Sequence, residues 1–479
     1  MSKMNRRAFL RRGTVAAAGG ALLAGPAAPL VAYAKNGNGP KADAYGPLRP
    51  AVDETTGEVL LNLPKSFKYR TFGAEGTIMT DGVATPVRHD GMAAFPGPNG
   101  SVRLVRNHEA LFNTGAIGDP AKAYDAVGSG GTTTLEVQGN GNRVSSWVSA
   151  SGTTFNCSGG AMPYGTWVTC EESIAGPDLD PDFVGQGPNL DEKHGYIYEV
   201  SASTGPGQNE LTVPIRAAGR FTHEGAAMDP ATGILYLTQD NFIAPSGLYR
   251  YLPKPGTNPM VDGSISDGGT LEMLAVVDAT GAPTGAQLFN LETAGTSYDV
   301  GWVPIADPDP TFATTDPNVE ISTVSNQGLA LGAAAFSRLE GIRYSNGLLY
   351  FTSTQGGAGR PVIGFPTFGP GWGQVWALDP AQQRLHMVYQ SPSDNVLELP
   401  DNLAVSPKGS LALCEDGEDP NFLRGLTPDG ELFDFAQNVG SDAEFTGATF
   451  SPNGQALFFN IQSPGATYMV WGPFGKGPF

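Results

Sequence analysis

Six short stretches of the chain begin or end with side chains able to hold a cation. They are "HDGMAAFPGPNGSVRLVRNHE" (89–109), "NCSGGAMPYGTWVTCEE" (156–172), "HEGAAMDPATGILYLTQDN" (223–241), "LEGIRYSNGLLYFTSTQ" (339–355), "DNLAVSPKGSLALCED" (401–416) and "FTGATFSPNGQALFFNIQ" (445–462). Their carboxylates and amides are oxygen donors of the kind calcium takes. A thiolate is a poor calcium ligand and a good one for iron, copper or zinc. Cys170 sits between Thr169 and the pair Glu171-Glu172, so it reads as the soft donor of a mixed site. Two bland alternatives stand beside that reading: Cys170 as a small buried hydrophobe, or as a disulfide partner of Cys157 across its hairpin. His108 and His223 serve either behind the ligands or as packing.

The elements that must position these groups follow from the same stretches. Each runs through a short apolar segment, turns at Pro, Asn or Asp followed by glycine, and continues as a second alternating segment. The turn glycines are Gly100, Gly165, Gly233, Gly347, Gly409 and Gly454. A glycine turn between alternating segments is a hairpin signal. Six irregularly spaced hairpins predict an all-β chain, a six-bladed β-propeller with loop insertions. Segments such as "HGYIYEV" (194–200), "SGLYRYLP" (246–253) and "GQVWALDP" (373–380) fit outer strands, and the gap from 242 to 336 holds an insertion or extra strands.

In an antiparallel hairpin the start of the first strand lies beside the end of the second. That pairs Asp90 with His108 and Glu109, Cys157 with Cys170, Glu171 and Glu172, and Glu224 with Asp240 and Asn241. It also pairs Asp401 and Asn402 with Glu415 and Asp416, while Glu340 meets only the Ser353–Gln355 end. Innermost propeller strands surround one axis, so hairpins of one orientation bring these groups together. Carboxylates at that spacing repel strongly in a low dielectric, and bound cations remove the cost.

Bulk properties narrow the classes. With 47 acidic against 28 basic residues the net charge is −19, which disfavours nucleic acid as a partner. Three cysteines cannot form a disulfide framework. "NRRAFLRRG" with the weakly apolar "TVAAAGGALLAGPAAPLVAYA" predicts a twin-arginine signal peptide over residues 1–34, exported through the twin-arginine machinery. Residues 35–479 are then one propeller domain, secreted or periplasmic, without stable membrane insertion. A closed propeller leaves no free sheet edge, so a monomer is expected.

The motifs "LVRNHE", "GTWVTCEE", "GRFTHEGAAMDPATGILYLTQDN", "SRLEGIRY", "PDNLAVSPKG" and "EFTGATFSPNGQALFFNIQSPG" run in order along the chain. Together they resemble the PhoX-type alkaline phosphatases. The resemblance implies a secreted six-bladed propeller that hydrolyses small-molecule phosphate monoesters at two ferric ions (Fe3+) and three calcium ions (Ca2+). It implies Cys170 as iron ligand, with Glu109, Glu224, Glu340, Asp401, Asn402, Glu415, Asp416 and Glu171 (or its neighbour Glu172) among the metal-binding residues. Arg338, two positions before the "LEG" glutamate, is similar to the family's phosphate-binding arginine. Two other readings of the residues alone remain: a calcium-dependent propeller lactonase or esterase, and a non-catalytic secreted propeller braced by calcium.

Overall fold

The computed structural model describes residues 41–110, 114–181, 190–360, 368–418 and 420–479. The expected signal peptide lies outside these residues. Each predicted hairpin forms, and its turn glycine takes a left-handed conformation, with φ from +68° at Gly454 to +94° at Gly165. A residue with a Cβ meets steric strain there.

The first strands of the hairpins are His89–Pro96, Asn156–Ala161, His223–Met228, Leu339–Ser345, Pro400–Val405 and Phe445–Phe450. Each packs against the next, and the sixth packs against the first, so six inner strands close a ring. The "outer" segments read from the sequence are third strands: Ile197–Ser201, Leu248–Leu252 and Gln374–Asp379. The sixth blade is completed by Lys68–Phe72, from the other end of the chain, which pairs with Ala466–Trp471. That pairing fastens the ring. The long insertion contributes Ser297–Pro304, which pairs with the outer strands of both the third and fourth blades and fuses them into one nine-stranded sheet.

Each wedge between blades holds its own hydrophobic cluster. Between the first and second blades, Phe95, Val105 and Trp167 meet; between the fourth and fifth, Tyr350, Val375, Leu403 and Leu413. The other four wedges are filled in the same way. Burial of these side chains supplies the main stabilisation, roughly 1.5–3 kcal/mol for each large apolar group.

A backbone device recurs on every inner strand: two residues oppose one on the partner strand. The bulged pairs are Asp90-Gly91, Cys157-Ser158, Glu224-Gly225, Glu340-Gly341, Asp401-Asn402 and Gly447-Ala448. A bulge re-aims a side chain and adds twist. Where glycine is the second residue it also lets neighbouring inner strands touch. A Cβ on Gly91 would meet Ser158 Cα at 2.6 Å, and one on Gly341 would meet Asp401 O at 2.8 Å and Leu403 N at 2.9 Å. Gly341→Val should therefore lower unfolding free energy by ~2 kcal/mol or more through overpacking against backbone. Chemical denaturation of the metal-free protein measures this, and an unchanged midpoint would refute the close-packed ring.

Candidate metal centre

In the first five bulges the opening residue, Asp90, Cys157, Glu224, Glu340 or Asp401, turns toward the axis; the sixth opens with Gly447, which has no side chain. Glu224 is the hub: its carboxylate reaches Cys157 and Glu172 on one side, and Glu340 and Asp401 on the other. Within each of these two groups the potential ligand atoms all lie within 4.8 Å of one another. Neither oxygen of Glu224, nor Oδ1 of Asp90, has a hydrogen-bond partner among the described residues, and both side chains are buried. A buried polar group without a partner costs roughly 1–3 kcal/mol, and more when charged.

Residues just past the second strands complete the ring. Glu109, Glu172, Asp240 and Asp416 follow the ends of the first, second, third and fifth hairpins, and Glu444 precedes the sixth inner strand. Burial, and then the charges of Asp401, Asp90 and Asp240, push the Glu224 carboxyl well above the usual carboxylate range. Burial followed by the charge of Asp416 pushes Asp401 up to about 7. Burial, then the charges of Glu224 and Asp240, pushes the Glu172 carboxyl well above the usual carboxylate range. Burial, then Asp416 and Asp401, raises Glu444. These acids destabilise one another's charged forms, so without cations the cluster tends to hold protons, and a bound cation would take their place.

The donor set fits two kinds of ion. Glu224, Glu340 and Asp401 offer only oxygen, which suits a hard cation such as calcium. Cys157, Glu172 and Glu224 add a thiol, which suits a softer, iron-like ion.

Several residues expected at the centre are elsewhere. Cys170 packs in the apolar wedge between the second and third blades with Val168, Ile197 and Ala226; strand alternation turns it away from the carboxylates, and the thiol beside them is Cys157. All three cysteines are free, so the Cys157–Cys170 bridge does not form. Glu171 is saturated by protein donors. It accepts from the backbone N–H of Thr154 (2.9 Å), Gly195 (2.8 Å) and Tyr196 (3.1 Å), and from Tyr198 Oη (3.2 Å), and it meets His194 Nδ1 at 2.6 Å. Glu415 accepts from Glu398 N (2.9 Å), Phe422 N (3.0 Å) and Arg424 Nε (2.8 Å). Asn402 donates to Asp401 and accepts from Gly447 N at 2.8 Å. These three brace the ring. Glu224, Glu340 and Asp401 lie in the two groups, and Glu109 and Asp416 stand at their edge. His108 and His223 are packing residues bonded to Val87 O and Gly219 O.

Arg338 also lies at the centre. Its Nε and Nη2 grip Asp240, at 2.9 Å and 2.6 Å to Oδ2, and Nη2 reaches Glu340 Oε1 at 2.8 Å. The guanidinium rests over the Phe242 ring, 4.9 Å from its centroid. Arg88 is a second arginine at the centre that the sequence reading did not single out.

Two predictions follow from this arrangement of thiols, carboxylates and His194. Cys157→Ser should lower the bound metal content of the purified protein, whereas Cys170→Ala should leave it intact and cost only packing energy, ~1 kcal/mol; elemental analysis of both variants decides. His194 is buried between Glu171 and Asp125. Burial lowers its imidazole, but the charge of Glu171 and the hydrogen bonds to Asp125 and Glu171 outweigh it and push it up to about 9. A raised histidine gives its full stabilisation below its unfolded value near 6.5 and loses it as pH climbs toward 9. His194→Gln should flatten the loss of stability across that window, measured as midpoint against pH.

The family model described as "Alkaline phosphatase PhoX" matches residues 44–146 and 140–465. No match to a curated protein is found. Among solved structures, Pseudomonas fluorescens PhoX in complex with vanadate, a transition state analogue, is similar over 90% of this chain and 98% of its own, at 19% identity and a TM-score of 0.62. A gluconolactonase from Xanthomonas campestris is similar over 89% of this chain and 98% of its own, at 14% identity and a TM-score of 0.41.

Proposed function

The chain belongs to the PhoX alkaline phosphatase family, and on that premise we propose that it hydrolyses phosphate monoesters at a mixed iron and calcium cluster held on the propeller axis. The observation that carries the cluster is Glu224, fully buried, both oxygens without a hydrogen-bond partner among the described residues, placed between an all-oxygen group and a thiol-bearing one. Bound cations would offset its charge in place of a proton. Bound there, they would supply positive charge for phosphoryl oxygens and acidify water enough for attack at neutral pH. No serine nucleophile is then required.

The protein's own share is positioning. Asp240 holds Arg338 by its Nε–Nη2 edge, leaving Nη1 without a hydrogen bond to any described residue. Glu340 and the Phe242 face fix the guanidinium plane. Arg338 also takes a left-handed backbone, φ +45°, which a side chain adopts at a cost. A preorganised guanidinium beside the carboxylate cluster can clamp phosphoryl oxygens and follow the charge that builds on them. That the Pseudomonas relative was solved with vanadate supports the same class of chemistry.

The twin-arginine leader over residues 1–34 supports export of the folded, metal-loaded chain to the periplasm or beyond. No helix among the described residues is long and apolar enough to cross a membrane. The closed ring supports a monomer.

Turnover of p-nitrophenyl phosphate by the metal-replete protein tests the reading, and its absence would sink it. Arg338→Ala should lower kcat/KM about a hundredfold, the usual loss for one transition-state donor, while iron and calcium content stay unchanged. Full activity at low substrate would show that Arg338 is misassigned.

A further inference from the structure

The fourth blade's arginine has a counterpart that the phosphatase reading does not use. "RHDG" (88–91) and "RLEG" (338–341) place an arginine two residues before the carboxylate of a bulge. Both arginines are left-handed, with φ of +46° at Arg88 and +45° at Arg338. Phe155 and Leu399 stand at the same point before the second and fifth inner strands, also left-handed, at +49° and +45°. The backbone shape is therefore shared, and the guanidinium is specific to two blades. Both are also gripped alike. Arg88 gives Nε and Nη2 to Glu109 Oε2, at 3.2 Å and 2.7 Å, as Arg338 gives the same two atoms to Asp240, and Nη1 bonds to no described residue in either case.

The ring order sets the two arginines apart in space. The inner strands follow one another in sequence around six positions, so the first and fourth face each other across the axis. The Arg88 side chain is 29% exposed against 11% for Arg338, so it is the more accessible of the two. Gln462 Nε2 donates to Glu109 Oε2 and also to Asp90 Oδ2 at 3.3 Å, which ties the Arg88–Glu109 pair to the carboxylate cluster.

We propose that Arg88 is a specificity-determining residue that binds a second phosphate, joined through a bridging oxygen to the phosphoryl group held by Arg338, and so favours substrates carrying a phosphoanhydride. The proposal rests on the phosphatase reading. Placement on opposite blades lets each guanidinium meet a different phosphate of one ligand, because a single phosphoryl group on the axis is already met by Arg338. Glu109 acts as the counter-ion that holds Arg88 in place, and Gln462 Nε2 in turn donates to Glu109 Oε2 at 2.5 Å.

The test compares inorganic pyrophosphate with inorganic phosphate as ligands, and a nucleoside diphosphate with p-nitrophenyl phosphate as substrates, on the metal-replete protein. In Arg88→Ala, pyrophosphate affinity should fall at least tenfold more than phosphate affinity, and KM for the diphosphate should rise at least tenfold more than KM for the monoester. Arg88→Lys should restore part of both. An equal loss on all four probes would make Arg88 a brace for Glu109 only, and no loss on any would remove it from the site; either overturns the proposal. If the wild-type protein turned over neither substrate, the phosphatase reading would fail, yet the pyrophosphate-to-phosphate affinity ratio of wild type against Arg88→Ala would still decide the role of Arg88.

Discussion

Like charges packed on one axis set the terms for the rest of this molecule. Asp90, Glu224, Glu340 and Asp401 are buried, carry few or no protein hydrogen bonds, and raise one another's proton affinity. Left to itself such a group would protonate, draw in water or push the inner strands apart. The six apolar wedges oppose the last outcome. Because the sixth blade is closed by Lys68–Phe72, no strand can relax outward without breaking the ring. Packing energy thus holds the acids close enough to raise one another's proton affinity, and any cation bound there would add to folding stability.

Two backbone features convert ordinary hairpins into that arrangement. The inner-strand bulge turns its first residue inward, and a small second residue lets adjacent strands approach. Motifs such as "HEG", "HDG" and "LEG" are the written form of this device: the acid faces the axis and the glycine is the contact surface. At the far end of each hairpin, strand alternation divides adjacent acids into two jobs. The last residue of the second strand points outward and ties loop backbone, as Glu171 and Glu415 do. The next residue leaves the strand and faces the axis, as Glu172 and Asp416 do.

The same division explains the histidines and the arginines. His108 and Gln239 occupy the outward position on their blades and bond within the fold, so a polar type at a strand end is no sign of a ligand by itself. His194 belongs to a brace as well, joining the loop that carries Asp125 to Glu171. The arginines work differently. Each is anchored by a carboxylate at one edge and keeps Nη1 without a hydrogen bond to any described residue, on a left-handed backbone.

The fold was legible because it is local: turn glycines, alternating apolar runs and recurring acid-glycine pairs reveal hairpins, their orientation and their convergence on an axis. Glu224, Glu340 and Asp401 were legible for the same reason, since each opens a hairpin. Cys157 against Cys170, and Glu172 against Glu171, could not be separated along the chain, because a one-residue step in a strand reverses the face a side chain occupies. A bulge shifts that register without a sequence mark of its own. Closure by Lys68–Phe72, the strand that fuses the third and fourth blades, and the opposed placement of Arg88 and Arg338 come from pairings across long separations, which composition and spacing do not encode. The sequence by itself determined which chemistry the chain carries and that it gathers on one axis; the tertiary structure alone decided which atoms face that axis, because register and ring order are properties of strands in contact.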